Sequence, residues 1–95
     1  MPKPPSRVAS TPEIQVTIYH GVGCHLCERA LAQVRALRDE LGFALKEVAI
    51  DGDPELEARY RELIPMVEIE GEQAFTYYVH EEAFRRRLAA AQSPR

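Results

Sequence analysis

The first regular pattern in the chain is an alternation of apolar and polar residues over positions 14–19. Ile14, Val16 and Ile18 share one side of this segment, and polar residues separate them. A period of two with β-branched residues is typical of a strand that buries one face. The alternation stops before Gly21 and Gly23, whose lack of a side chain lets the backbone turn sharply. The segment therefore predicts a strand followed by a tight loop.

After the loop, the apolar spacing changes to three and four residues, which predicts a helix over about 24–41. Gly42 suits the left-handed position that ends many helices, and Phe43 supplies the apolar contact beyond it. The apolar positions on the predicted buried face are Cys27, Ala30, Leu31, Val34, Leu37 and Leu41.

The rest of the chain predicts two more helices and three more strands. Asp53 and Pro54 are typical of a helix start, and Pro65 of a helix end. The resulting order, β-α-β-α-β-β-α, predicts an α/β fold with a four-stranded mixed sheet flanked by helices. The first two strands should be parallel through a right-handed crossover, and the last two antiparallel through their short turn. The predicted bounds are 43–50, 66–70 and 73–79 for the strands, and 54–63 and 81–91 for the helices.

Length and composition indicate one domain over 13–91 between two tails. The chain has 95 residues, of which 45% are hydrophobic, a normal share for a globular domain. Residues 1–12 are rich in proline and predict a disordered N-terminal tail, and 92–95 form a C-terminal tail. The formal net charge of −3 gives no reason to expect a nucleic-acid partner. No apolar run approaches a membrane span and no signal peptide is visible, so we expect a cytoplasmic monomer that does not bind membranes.

The chemistry of the chain points to its two cysteines, in the tetrapeptide Cys24-His25-Leu26-Cys27. The strand–helix junction places Cys24 at a helix N-terminus, where free N–H groups and the helix dipole favour a thiolate. The other thiol follows one helical turn later, within reach for a disulfide. We therefore predict Cys24 as the nucleophile and Cys27 as the more buried resolving thiol.

Other interpretations of these residues remain open. A structural disulfide would close too short a loop to stabilise much. A metal-binding site would need more ligands than one CxxC, and His20, His25 and His80 are the candidates. His25 has two interpretations. When protonated, it would stabilise the Cys24 thiolate; alternatively, it is an exposed residue with little influence on the thiol.

The strand–helix context of the CxxC motif is the cue for a thioredoxin-like redox site. Three further features accompany the motif and the element order: Asp51-Gly52-Asp53-Pro54-Glu55-Leu56, Tyr60 and Ile64-Pro65-Met66-Val67. Together these features resemble the small bacterial glutaredoxin-like (DUF836) proteins of the thioredoxin-like fold, over about 14–91. That resemblance implies a cis peptide before Pro65, which would leave the Ile64 backbone free to pair with a substrate chain.

The chain departs from the glutaredoxin pattern before its last helix. Glutaredoxins carry a Gly-Gly turn that holds glutathione, whereas this chain has His80-Glu81-Glu82 there. Acidic residues disfavour an anionic ligand, so we do not expect glutathione as the electron donor. We expect no cofactor, because exchange between thiols and disulfides needs no prosthetic group.

The sequence thus predicts a small thiol–disulfide oxidoreductase acting through a CxxC couple. Its partners would be a disulfide-containing protein or small thiol substrate and an unidentified reductant. Two alternatives remain: a CxxC carrier that binds a metal, and a non-enzymatic interaction module on a thioredoxin-like scaffold.

Overall fold

The computed structural model describes residues 13–92, and within them the element order agrees with the predicted one. The tail predicted at 1–12 lies outside the described residues, as do 93–95 of the tail predicted at 92–95. Gln92 is not part of a tail but belongs to the last helix. None of the helices in this described region is both long and apolar enough to cross a membrane. The elements are β1 (Gln15–His20), α1 (His25–Leu41), β2 (Ala44–Ala49), α2 (Pro54–Tyr60), β3 (Met66–Ile69), β4 (Glu72–Thr76) and α3 (Glu81–Gln92).

The strands form one four-stranded mixed sheet in the order β2-β1-β3-β4. β1 pairs in parallel with β2, so that Ile18 lies opposite Glu47. On its other edge β1 pairs antiparallel with β3, where Ile18 lies opposite Val67. The C-terminal end of β1 and the N-terminal end of β3 therefore meet at the same end of the sheet. This arrangement brings the CxxC junction and the Ile64–Pro65 segment together.

The hydrophobic core lies between one sheet face and the helices α1 and α3. Val16 and Ile18 supply the sheet side, Val34 the α1 side and Phe84 the α3 side, and all four are fully buried. The apolar face of β1, formed by alternate residues, packs against the apolar face of α1, formed by residues three and four apart, as the sequence predicts. Gly42 adopts the left-handed conformation with φ 84° and ends α1 by donating its N–H to the Arg38 carbonyl at 2.8 Å.

Two predicted elements end three residues earlier in the structure. The second helix ends at Tyr60, because the chain turns there and the Leu63 N–H bonds to the Tyr60 carbonyl at 2.8 Å. The last strand ends at Thr76, because Tyr77 has a left-handed backbone with φ 69° that no strand accommodates. These two ends border the segments that surround the motif, so both differences change the shape of the site.

Helix α3 is also fixed to α1 by a surface ion pair. Arg85 donates to both carboxylate oxygens of Glu40, at 2.8 and 2.9 Å, and to Glu81 at 2.9 Å. The hydrogen bonds from Arg85 hold the pKa of the Glu40 carboxyl below its ordinary value. Arg85 therefore joins two helices.

Candidate active site

Cys24 is the N-cap residue of α1. Its backbone is extended, with φ −98° and ψ 105°, and its Sγ accepts the N–H of Cys27 at 3.0 Å. Its carbonyl accepts the first helical bond, from the Glu28 N–H at 3.1 Å. The sulfur thus occupies the place that a serine or aspartate oxygen takes in most helix caps, where free N–H groups favour negative charge.

The two cysteines form a disulfide, with their Cα atoms 5.1 Å apart. Their surroundings differ: Cys24 is partly exposed, whereas Cys27 is only 1% exposed and lies in the protein interior. A thiol must be reached by an incoming disulfide before it can attack one. Cys24 is therefore the more accessible of the two sulfurs, and the attacking role of Cys24 and the resolving role of Cys27 stay predictions.

The loop before the motif is held by Asp51, which the sequence analysis names as part of a segment but to which it assigns no role. The Val22 N–H donates to the Asp51 carboxylate at 2.8 Å, linking the loop to the turn after β2. Val22 stands two residues before Cys24, so this bond fixes the approach to the N-cap. Asp51 gives no periodic signal, and only its place after the second strand, at the sheet end that carries the motif, would have indicated it.

Other segments approach the backbone of Gly21 closely. A Cβ at this position would lie 3.0 Å from Ile64 Cδ1 and 3.7 Å from the Asp51 carboxylate. Three segments that are distant in the sequence thus meet around one glycine: the motif loop, the turn after β2 and the Ile64–Pro65 segment.

The predicted cis peptide between Ile64 and Pro65 is present, and Pro65 is buried. The segment is connected to the chain after β4. The Pro65 carbonyl accepts the Tyr77 N–H at 2.8 Å, and the Tyr77 hydroxyl donates to the Glu62 carbonyl. Tyr77 therefore bonds to the chain on both sides of the cis peptide, a role that its predicted place within a strand does not suggest.

A groove of about 320 Å³, which we call the side groove, runs beside the motif between α1 and the residues after β4. It begins at Leu26, between the two cysteines, and its floor is stabilised by a hydrogen bond from Gln33 Nε2 to the Val79 carbonyl at 2.9 Å. Arg29, Tyr77 and Tyr78 also line it. The side groove is absent from the sequence prediction because 73–79 is predicted there as regular strand.

The three histidines are not gathered around the cysteines into a metal site. His25 and His80 are exposed, and His20 lies half-buried at the end of β1. Within residues 13–92, no group of three or more His, Cys, Asp or Glu side chains is placed to hold a metal ion. The exposure of His25 leaves its influence on Cys24 a prediction.

A tyrosine pair lies on the sheet face opposite the core, near the same end of β1. The rings of Tyr19 and Tyr60 stack with their centroids 4.1 Å apart, and the Arg59 guanidinium lies 5.6 Å from the Tyr60 centroid. Burial, followed by the hydrogen bond with Tyr60, raises the pKa of Tyr19 to about 12. The pair attaches α2 to the sheet.

At the level of sequence, a family model and a relative both match most of the chain. The model of the glutaredoxin-like domain (DUF836) family matches residues 15–89. The Mycobacterium tuberculosis protein Rv0508 is 30% identical over 80 residues, which cover 79% of this chain and 82% of that protein.

Solved structures agree in fold. Protein Ne2328 from Nitrosomonas europaea superposes with a TM-score of 0.69 at 26% identity, covering 83% of this chain and 95% of its own. Protein XcR50 from X. campestris gives 0.63 at 29% identity, covering 83% and 99%. Fasciola hepatica thioredoxin shares the fold alone. It superposes with a TM-score of 0.58 at 17% identity, covering 84% of this chain and 82% of its own.

Proposed function

Because the chain belongs to the glutaredoxin-like domain (DUF836) family, we propose that it is a small thiol–disulfide oxidoreductase whose working couple is Cys24 and Cys27. The observation that carries this proposal is the unequal placement of the two sulfurs. Cys24 caps α1 and accepts an N–H from the helix, while Cys27 is buried one turn further on. This is the arrangement that favours one reactive thiolate and one protected thiol.

In the proposed reaction, the reduced protein meets a substrate disulfide. The Cys24 thiolate attacks one substrate sulfur, the substrate S–S bond breaks, and one substrate thiolate leaves. Cys27, as thiolate, then attacks the Cys24 Sγ, which breaks the mixed disulfide and releases the second substrate thiolate. Two electrons pass from the protein to the substrate, and the protons released by the two cysteine thiols balance those taken up by the two product thiolates.

The oxidised protein that results has the Cys24–Cys27 bond of the present structure. We propose that an external dithiol reduces it again, by attack on the more exposed Cys24 and then closure of the donor's own disulfide. A dithiol suits this site better than glutathione, because exposed Glu81 and Glu82 occupy the start of α3. Their charge disfavours the glutathione carboxylates.

Substrate trapping tests this proposal. Cys27→Ser should accumulate a mixed disulfide with a substrate, because no second thiol remains to release it. Cys24→Ser, the matched control, should accumulate far less, because its remaining thiol is buried. Mass spectrometry under non-reducing conditions counts the adducts with a model disulfide such as hydroxyethyl disulfide. Equal trapping by both variants, or trapping mainly through Cys27, would contradict the assigned roles.

The electron donor is tested separately in the wild-type protein. We expect faster turnover of hydroxyethyl disulfide with dithiothreitol than with glutathione at equal thiol concentration. A glutathione-driven rate that equals the dithiol rate and persists in Cys27→Ser would indicate monothiol chemistry instead.

A further inference from the structure

We propose that the substrate is a protein segment with a large apolar residue and an acidic residue beside its disulfide. The apolar side chain packs against the tyrosines of the side groove, and the acidic side chain pairs with the exposed Arg29. This inference rests on the proposed function and deepens it. It selects a polypeptide over a small anionic thiol, and it assigns the selection to the side groove rather than to the cysteines.

The apolar preference follows from where the protein leaves hydrophobic surface uncovered. Three large hydrophobic side chains stand exposed in the described part of the chain: Val22 at 86%, Tyr78 at 60% and Tyr77 at 42%. Val22 precedes the motif by two residues, and both tyrosines line the side groove that starts at Leu26. Exposed apolar surface gathered beside one site marks a place where another molecule is bound.

The backbone N–H groups of the two groove tyrosines are already occupied, which argues against a small anion bound beside them. The Tyr77 N–H bonds to the Pro65 carbonyl at 2.8 Å, and the Tyr78 N–H to the Thr76 carbonyl at 2.7 Å. The Gln33 amide donates to the Val79 carbonyl. A carboxylate placed against the tyrosines, away from Arg29, would lose its hydration without gaining these donors. An apolar side chain has no such requirement.

The acidic preference comes from Arg29, the one charged side chain that lines the groove. It is exposed and forms no ion pair with any residue in the range 13–92. A single cation beside aromatic rings complements a segment in which one acidic residue lies near the apolar one. Such a pair adds selectivity and a faster encounter more than affinity.

A peptide competition measures both preferences. The substrates are four disulfide-linked peptides that differ at two positions beside the cysteine, with Phe or Ser at one and Asp or Lys at the other. We expect kcat/KM with a dithiol donor to be about tenfold higher for Phe than for Ser, the ratio that corresponds to about 1.4 kcal/mol. Asp should exceed Lys by roughly threefold at low salt, and this difference should shrink as salt is added.

Variants assign the preferences to the groove. Tyr78→Ser should reduce the Phe-over-Ser ratio, and Tyr78→Phe, which keeps the ring, should preserve it. Arg29→Glu should reverse the Asp-over-Lys ratio. Lys46→Glu, which makes the same change of charge on the edge strand β2, should leave both ratios as in the wild type.

Hydroxyethyl disulfide separates this inference from the proposed function, because it has no side chain to bind in the groove. Turnover of hydroxyethyl disulfide with equal rates for the four peptides would refute the groove proposal and leave the oxidoreductase standing. Preferences that persist in both Tyr78→Ser and Arg29→Glu would also refute it. If the protein reduced none of these disulfides, the proposed oxidoreductase function itself would be refuted.

Discussion

Removing the Asp51 carboxylate should loosen the loop that carries the motif. Asp51→Ala deletes the acceptor of the Val22 N–H, now 2.8 Å away. A hydrogen bond to a charged group contributes about 1.5–3 kcal/mol, but both residues are exposed and water replaces part of it. We therefore expect the free energy of unfolding to fall by about 1 kcal/mol, which lowers Tm by roughly 4–8 °C in a domain of this size.

Asp51→Asn is the matched control, because its amide oxygen still accepts the Val22 N–H while the charge is lost. In urea denaturation of the oxidised protein, its free energy of unfolding should fall by no more than half as much as that of Asp51→Ala. Both variants remove a negative charge near the motif, so both should speed iodoacetamide labelling of reduced Cys24 at low pH. An unchanged Tm in Asp51→Ala, or equal losses in the two variants, would refute the hydrogen-bond reasoning.

The remaining predictions concern the thiols, the tyrosine pair and the core. Reduced protein should be alkylated at Cys24 before Cys27, as peptide mass spectrometry after brief labelling will show; preferential labelling of Cys27 would reverse their roles. Because folding raises the pKa of Tyr19 to about 12, its stabilising contribution is complete below about pH 10 and is lost as the pH rises towards 12. Urea denaturation at about pH 9 and about pH 11 should therefore show a stability loss that Tyr19→Phe reduces; equal losses in both proteins would count against the shifted pKa. Phe84→Ala should lower the free energy of unfolding by about 3–5 kcal/mol, since the ring is fully buried between α3 and the sheet. Circular dichroism during heating will then show a much lower Tm or no folded state, and a Tm within a few degrees of wild type would contradict this.

Local signals in the sequence predict the fold well, because they coincide with what tertiary packing requires. Gly42 ends α1 where the apolar spacing ends, and Asp53 caps α2 with bonds to the Glu55 and Leu56 N–H groups. The end of α2 is less predictable. Leu63 continues the helical spacing, but the chain must turn before it to enter β3, and that requirement comes from the sheet.

The parts of the site that the sequence does not reveal depend on contacts between distant residues. Asp51 acts through a hydrogen bond to a backbone N–H 29 positions away, which leaves no pattern in composition or period. The sequence predicts Tyr77 as the continuation of a strand, yet its φ of 69° turns the chain back towards Pro65. The two cysteines are predictable because their chemistry lies within a single turn of helix.

The strand order also affects how the protein is made. β1 leaves the ribosome first, but its antiparallel partner β3 follows only after β2 and α2. At roughly 5–20 residues per second, several seconds separate the two strands during translation. Throughout that interval the nascent chain has β1 with an open edge and two newly made thiols beside it. This edge of the sheet therefore cannot close before β3 has emerged, and the interval before closure is when a foreign strand or an oxidant has most access to the unfinished domain.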